Sequence, residues 1–221
     1  MAAVMSGREV MVTSDSVTLR GLLGVPKNAR GVVLFAHGSG SGRLSSRNNF
    51  VARSLQDAGL ATLLIDLLSE EEERVDAGTG HLRFDIAFLA KRLEAATTWL
   101  SNTAETRSLD VGYFGASTGA AAALVAAAEM PDNVAAVVSR GGRPDLAGER
   151  LADVKAPTLL IVGSRDVPVI PLNEDAYAHL RCAKKLEIVP GASHLFEEPG
   201  TLEVVSRLAS SWFLRYLGKG D

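Results

Sequence analysis

The stretch LDVGYFGASTGAAAALVAAAE, residues 109–129, sets a short apolar run, a serine between glycines and an alanine-rich segment in immediate succession. The run from Leu109 to Phe114 reads as a strand buried on both faces, and AAAALVAAAE reads as a helix. Between them lies GASTG, Gly115 to Gly119. A serine held on so tight a strand-to-helix turn needs small residues two positions away on each side, and the turn lifts its hydroxyl clear of the sheet. The helix that starts there aims backbone N–H groups at any oxyanion that develops. On the motif alone, Ser117 is equally a solvated serine in a glycine-flanked turn; the strand before it and the helix after it favour a nucleophile.

Outward from this unit the same alternation continues. Apolar runs recur as VVLFA from Val32, ATLLI from Ala61, VAAVV from Val134, PTLLIV from Pro157 and KLEIV from Lys185. All read as strands buried on both faces. Helical spacing links Leu82, Ile86, Leu89, Leu93 and Leu100, and again Leu202, Val205, Ala209, Trp212 and Tyr216. Strand, helix, strand order builds parallel sheets, so the expected fold is α/β: a three-layer α/β/α sandwich with a mostly parallel sheet. Val10–Thr13 and Val17–Val25 precede it with strand character, and Pro26, Asn28 and Gly31 punctuate the segment before Val32, which predicts an antiparallel N-terminal edge. No repeat or linker divides the chain, so residues 1–221 are expected to form one domain. The one irregular excursion is SEEEERVDAGTG, residues 69–80, read as a solvated acidic loop.

Active sites in such sheets form at the carboxyl ends of the strands. Asp166, in VGSRDVPV, follows the strand that begins at Pro157. Taken by itself it reads as an Asx turn or a helix cap. His194, in PGASHLF, follows the next strand in a loop that Pro190 and Gly191 take out of the sheet. Taken by itself it reads as an exposed loop histidine. The order serine, aspartate, histidine, each at a successive strand end, is what joins the three. The loop HGSGSG, His37 to Gly42, follows the first apolar strand. Its glycines let backbone approach a ligand, and the N–H of Ser39 with that of Thr118 would make an oxyanion hole. A phosphate-binding loop is the rival reading, but the glycines match neither GxGxxG nor GxxxxGK[ST]. His37 itself is expected to brace the loop.

Other features exclude rather than assign. With 23 Lys and Arg against 26 Asp and Glu the net charge is −3, and the basic residues form no cluster, so no nucleic-acid partner is expected. No run approaches the roughly 18 apolar residues of a membrane span. The opening MAAVMSGREV lacks the features of a signal peptide, and the single cysteine, Cys182, has no disulfide partner, which together suggest the cytoplasm. Glu70 to Glu73 with Asp76 and His81 lack the spacing of a metal-ligand set. Arg140 and Arg143, in SRGGRPD, fall on the serine's edge of the sheet and would hold a substrate carboxylate or pair with the acidic loop. Trp99 and Trp212 read as core anchors.

HGSGSG, IDLLSEEEE, LRFDIAFLAKRL, GASTG, VGSRDVPV and PGASHLF together resemble the α/β-hydrolase superfamily, and within it the dienelactone-hydrolase-like branch. The resemblance implies a compact hydrolase without a large cap, with no metal and no cofactor, and a triad of Ser117, Asp166 and His194. That branch typically carries cysteine where Ser117 stands, which favours a general carboxylic ester, lactone or thioester over a dienelactone. The expected partner is therefore a small-molecule ester, for a monomer or homodimer. An acyltransferase, an activated-phosphoester hydrolase or a non-catalytic ligand-binding protein are the alternative functions.

Overall fold

The structure, a computed structural model, describes residues 7–14 and 17–218. Eight strands, β1 (Arg8–Ser14), β2 (Val17–Gly24), β3 (Val32–Ala36), β4 (Ala61–Ile65), β5 (Val111–Ala116), β6 (Val134–Arg140), β7 (Thr158–Gly163) and β8 (Lys184–Val189), form one sheet in the order β1-β2-β4-β3-β5-β6-β7-β8. β1 pairs antiparallel with β2, and β2 antiparallel with β4; every other neighbouring pair is parallel. The expected antiparallel edge is therefore present. The turn between β1 and β2 lies outside the described residues.

The helices are α1 (Ser46–Asp57), α2 (Glu70–Thr79), α3 (Ile86–Asn102), α4 (Thr118–Glu129), α5 (Ile170–His179) and α6 (Thr201–Tyr216), with 3-10 segments at Leu82–Phe84 and Pro144–Asp153. They divide between the two sheet faces because side chains alternate along a strand. In β3, Val32, Leu34 and Ala36 join the core formed with α3 and α4, whereas Val33 and Phe35 join the core formed with α1 and α6. With both faces covered, β3 to β7 read as continuous apolar runs. β8 departs from the expectation of a strand buried on both faces. It ends the sheet, and of its six residues only Val189 is buried.

Residues 69–80 are also not a loop. Ser69 and Glu72 close a capping box at the start of α2, four glutamates occupy its first turn, and Gly80 ends it in the left-handed conformation at φ 65°. Negative charge at a helix N-terminus meets the positive end of the macrodipole, which is why an acidic run folds as a helix here. Glu72 also pairs with the buried Arg92 of α3. Within α2, Asp76 is buried. Burial opposes its ionisation, but Arg83 and the N–H groups of Leu82 and Arg83 outweigh that and hold the carboxyl below the usual range. Between β4 and β5 there is accordingly room for α2, one 3-10 turn and α3, and for no large cap.

No helix among the described residues is long and apolar enough to cross a membrane. Trp212 is buried and its Nε1–H donates to Pro157 O, while Trp99 packs partly buried against the core. Cys182 lies between α5 and β8, at the start of a strand and remote from the carboxyl edge; burial raises its thiol pKa, which disfavours the thiolate.

Candidate active site

The parallel strands end along one edge, and each candidate residue lies just past one of those ends. Ser117 follows Ala116, the last residue of β5, and adopts φ 50°, ψ −125°. A non-glycine residue there carries strain of order 1–3 kcal/mol, held in place by its surroundings. Those surroundings explain the glycines. A Cβ on Gly115 would sit 2.4 Å from Ala120 Cα, and one on Gly119 would sit 2.3 Å from Ala36 O. Only glycine at both positions lets α4 start so close to β3 and β5. The Arg143 N–H donates to Ser117 O at 3.0 Å and closes the turn from the β6 side.

Asp166 lies three residues beyond β7. Its carboxylate caps no helix: Oδ2 accepts a hydrogen bond from His194 Nδ1 at 2.7 Å, and the side chain is 8 % exposed. This separates the two sequence readings of Asp166 in favour of the histidine partner. It also puts the proton on Nδ1 and leaves Nε2 as the acceptor. His194 lines a cavity of about 260 Å³ together with Ser117. No hydrogen bond joins the two side chains in this structure. A direct bond of this kind often tightens only once substrate is bound.

The histidine loop is placed by two contacts that the sequence does not announce. A Cβ on Gly163, the last residue of β7, would lie 2.2 Å from Ala192 O, so the loop rests directly on backbone. Phe196 takes φ 55° and buries its ring, 2 % exposed, in the core shared with α6. Phe196→Ala is expected to cost about 3–5 kcal/mol of stability by leaving a cavity. Denaturant titration measures it, and a loss under about 1 kcal/mol would mean that Phe196 does not anchor the loop.

Gly38 to Ser41 lie across the N-terminus of α4. Ser39 N–H donates to Thr118 Oγ1 at 3.2 Å, and the Ser39 and Thr118 hydroxyls are 2.9 Å apart. The Thr118 amide, in the first turn of α4, has no intrahelical carbonyl to bond. The Ser39 amide is already engaged. His37 bridges two strand ends: Leu67 N–H donates to Nε2 and Nδ1–H donates to Gly38 O, each at 2.9 Å. Burial lowers its pKa below 6.5, against smaller opposing effects of Gly38 O and Asp66.

Burial of His37 makes stability depend on pH. As pH falls below about 6.5 the unfolded chain takes up the proton before the folded chain does, so stability falls on acidification by up to about 1.4 kcal/mol per pH unit. That loss should be smaller in His37→Gln. Thermal unfolding at about pH 7.5 and about pH 5.5, either side of the ordinary histidine pKa, measures both proteins, and an unchanged slope in the variant would assign it to other groups.

The two arginines separate. Arg143 binds Asp145 through both Nε and Nη2, at 2.9 and 2.8 Å, and does not line the cavity. Its carboxylate partner is thus Asp145, two residues on, and not the acidic segment at residues 69–80. Arg140 does line the cavity.

Over residues 19–212 the chain matches the dienelactone hydrolase family. The chain belongs to that family. It is 62 % identical to a dienelactone hydrolase from Anabaena variabilis, whose crystal structure superposes with a TM-score of 0.93 over 96 % of this chain and 99 % of that one. A Mycobacterium tuberculosis protein (strain H37Rv), provisionally named a phosphoribosyl transferase, is 58 % identical over 95 % of this chain. The chain spans only 46 % of that relative's length. The fold is shared more widely, for example with Est1E from Butyrivibrio proteoclasticus at a TM-score of 0.78 and 16 % identity, covering 94 % of this chain and 98 % of that one.

Proposed function

We propose that this chain is a serine hydrolase that cleaves small carboxylic esters, lactones or thioesters through an acyl-enzyme on Ser117. The observation that carries the reading is the convergence on one cavity of a serine on a strained turn and a histidine whose Nδ1–H is held by a buried aspartate. Family membership supports hydrolysis as the reaction class.

Each step uses a group at the carboxyl edge of the sheet. His194 Nε2 takes the Ser117 proton as Oγ attacks the carbonyl carbon, and the imidazolium is stabilised by Asp166. Negative charge then develops on the carbonyl oxygen. The Thr118 N–H meets it from the helix terminus, and the Ser39 N–H exchanges the Thr118 hydroxyl for it. Collapse of the tetrahedral intermediate expels the alcohol or thiol, which receives the proton from His194. Water repeats the sequence on the acyl-enzyme and releases the acid.

No metal or cofactor takes part in this scheme. The name of the longer mycobacterial relative describes a protein more than twice as long as the matched segment. The test is a panel of 4-nitrophenyl esters from acetate to decanoate with lactones and thioesters. Turnover is expected for several of them, and none at any ester, lactone or thioester would remove the proposal.

A further inference from the structure

The sheet ends in a strand whose outer side is unpaired. β8 is last in the strand order, and among the described residues no strand lies beyond it. The ladder with β7 fixes which of its backbone groups are free. Thr158 N–H donates to Ala183 O at 2.8 Å, just before β8, and Ser164 N–H donates to Val189 O at 2.9 Å, at its end. Successive residues of a strand turn their N–H and C=O to alternate sides, so the backbone groups of Lys185 and Glu187 also point to β7. Those of Lys184, Leu186 and Ile188 point outward. Pro190, which has no N–H, ends the free row.

The side chains alternate between the two faces of the sheet. Leu186 packs against the core that includes Ala176 and Leu180, and on that face Lys184 Nζ donates to Tyr177 O and Leu180 O, each at 2.6 Å. Ile188 shares the face and is 42 % exposed. On the other face Lys185 and Glu187 pair with each other, their side chains 58 % and 30 % exposed.

Charge on an exposed edge ordinarily keeps other edges away. Here the charges are of opposite sign and flank Leu186 symmetrically, which makes the edge complementary to itself. When two such strands run antiparallel about a two-fold axis through Leu186, Lys185 of each copy stands directly opposite Glu187 of the other. The backbone accepts the same register. Leu186 opposite Leu186, and Lys184 opposite Ile188, are pairs in which both residues direct their N–H and C=O outward, so they exchange both hydrogen bonds. Lys185 and Glu187 then fall at the positions without hydrogen bonds, where opposing side chains come closest. An axis one residue to either side would set Lys185 against Lys185 or Glu187 against Glu187.

We propose that the protein forms a two-fold dimer in which β8 of one copy joins β8 of a second copy, antiparallel about Leu186, into one continuous sheet. The aliphatic stem of Lys184 covers the exposed Ile188 of the second copy. Because the joined strands run in opposite directions, the cavities beside Ser117 open at opposite edges of the combined sheet, and neither copy covers the other's. The dimer is independent of what the site cleaves.

Sedimentation velocity at loading concentrations from about 1 to about 100 μM should show a species of twice the monomer mass whose share rises with concentration. Glu187→Lys sets lysine opposite lysine and Lys185→Glu sets glutamate opposite glutamate, so each should weaken the dimer by about 10-fold or more. Mixed in equal amounts, the two variants should associate with each other about as strongly as the wild type, because one strand then offers only lysines and the other only glutamates. A chain carrying both substitutions keeps every opposing pair unlike in sign and should dimerise as the wild type does. Recovery in the mixture separates loss of the contact from loss of the fold. A protein that stays monomeric over that range would overturn the proposal. A dimer that either single variant leaves unchanged would overturn it as well, as would a mixture of the two variants that remains monomeric.

Discussion

Ser117→Ala is expected to lower kcat by about 10⁴- to 10⁶-fold while leaving the folded protein as stable as before. The two halves of that expectation have separate causes. Chemically, Oγ forms the bond to the acyl carbon, so its removal leaves only the oxyanion donors and the binding contacts. Structurally, Oγ makes no hydrogen bond to any described residue, so stability should change by no more than about 0.5 kcal/mol. Ser117→Gly should be at least as stable as the wild type, because glycine adopts φ 50° without strain, and it should be equally inactive. A fluorophosphonate should label the wild-type protein once, at Ser117, and should label neither variant. Labelling mapped to another serine, or turnover retained in Ser117→Ala, would remove Ser117 from the mechanism.

How much of this was legible in the sequence depended on how local the deciding physics is. Strands β3 to β7 were legible because both of their faces are buried, which makes each one an unbroken apolar run. β8 reads as a strand but not as an exposed one: KKLEIV sits at the sheet edge, and only the strand order reveals that. The helix α2 was hidden by four successive glutamates that read as solvent-loving. A local signal was nonetheless present in Ser69 and Glu72, at the three-residue spacing of a capping box.

The candidate site was legible in its residues and illegible in its contacts. Chain order and strand ends point to Ser117, Asp166 and His194, but nothing local says that Asp166 reaches His194 rather than capping a helix. Arg140 and Arg143 look alike in SRGGRPD. The structure separates them because Arg143 has Asp145 within its own turn while Arg140, at a strand end, faces inward with only Asn48. The engagement of the Ser39 amide by Thr118, 79 positions away, has no sequence signature at all.

The second large effect concerns the pairing of Asp166 with His194. Asp166→Asn is expected to keep the fold and lower kcat by roughly 10²- to 10⁴-fold. An asparagine can offer its amide N–H to Nδ1, which would move the imidazole proton to Nε2 and leave no acceptor facing Ser117. It also removes the negative charge that stabilises the imidazolium. His194→Ala should cost at least as much, since it removes the base itself. Because only a neutral imidazole accepts the proton, kcat/KM of the wild type should fall on acidification, and that limb should persist in His37→Gln but vanish from the residual activity of His194→Ala. The decisive measurement is the double variant. If aspartate acts through histidine, adding Asp166→Asn to His194→Ala costs little beyond His194→Ala alone, because the aspartate has nothing left to orient. Losses that multiply would mean that Asp166 acts independently of His194. The other acids near this edge are poorly placed to substitute for it: Asp145 is held by both arms of Arg143, and Glu197 is exposed and paired with Arg47. Multiplying losses would therefore leave the histidine without an orienting acid and would count against the triad as a unit.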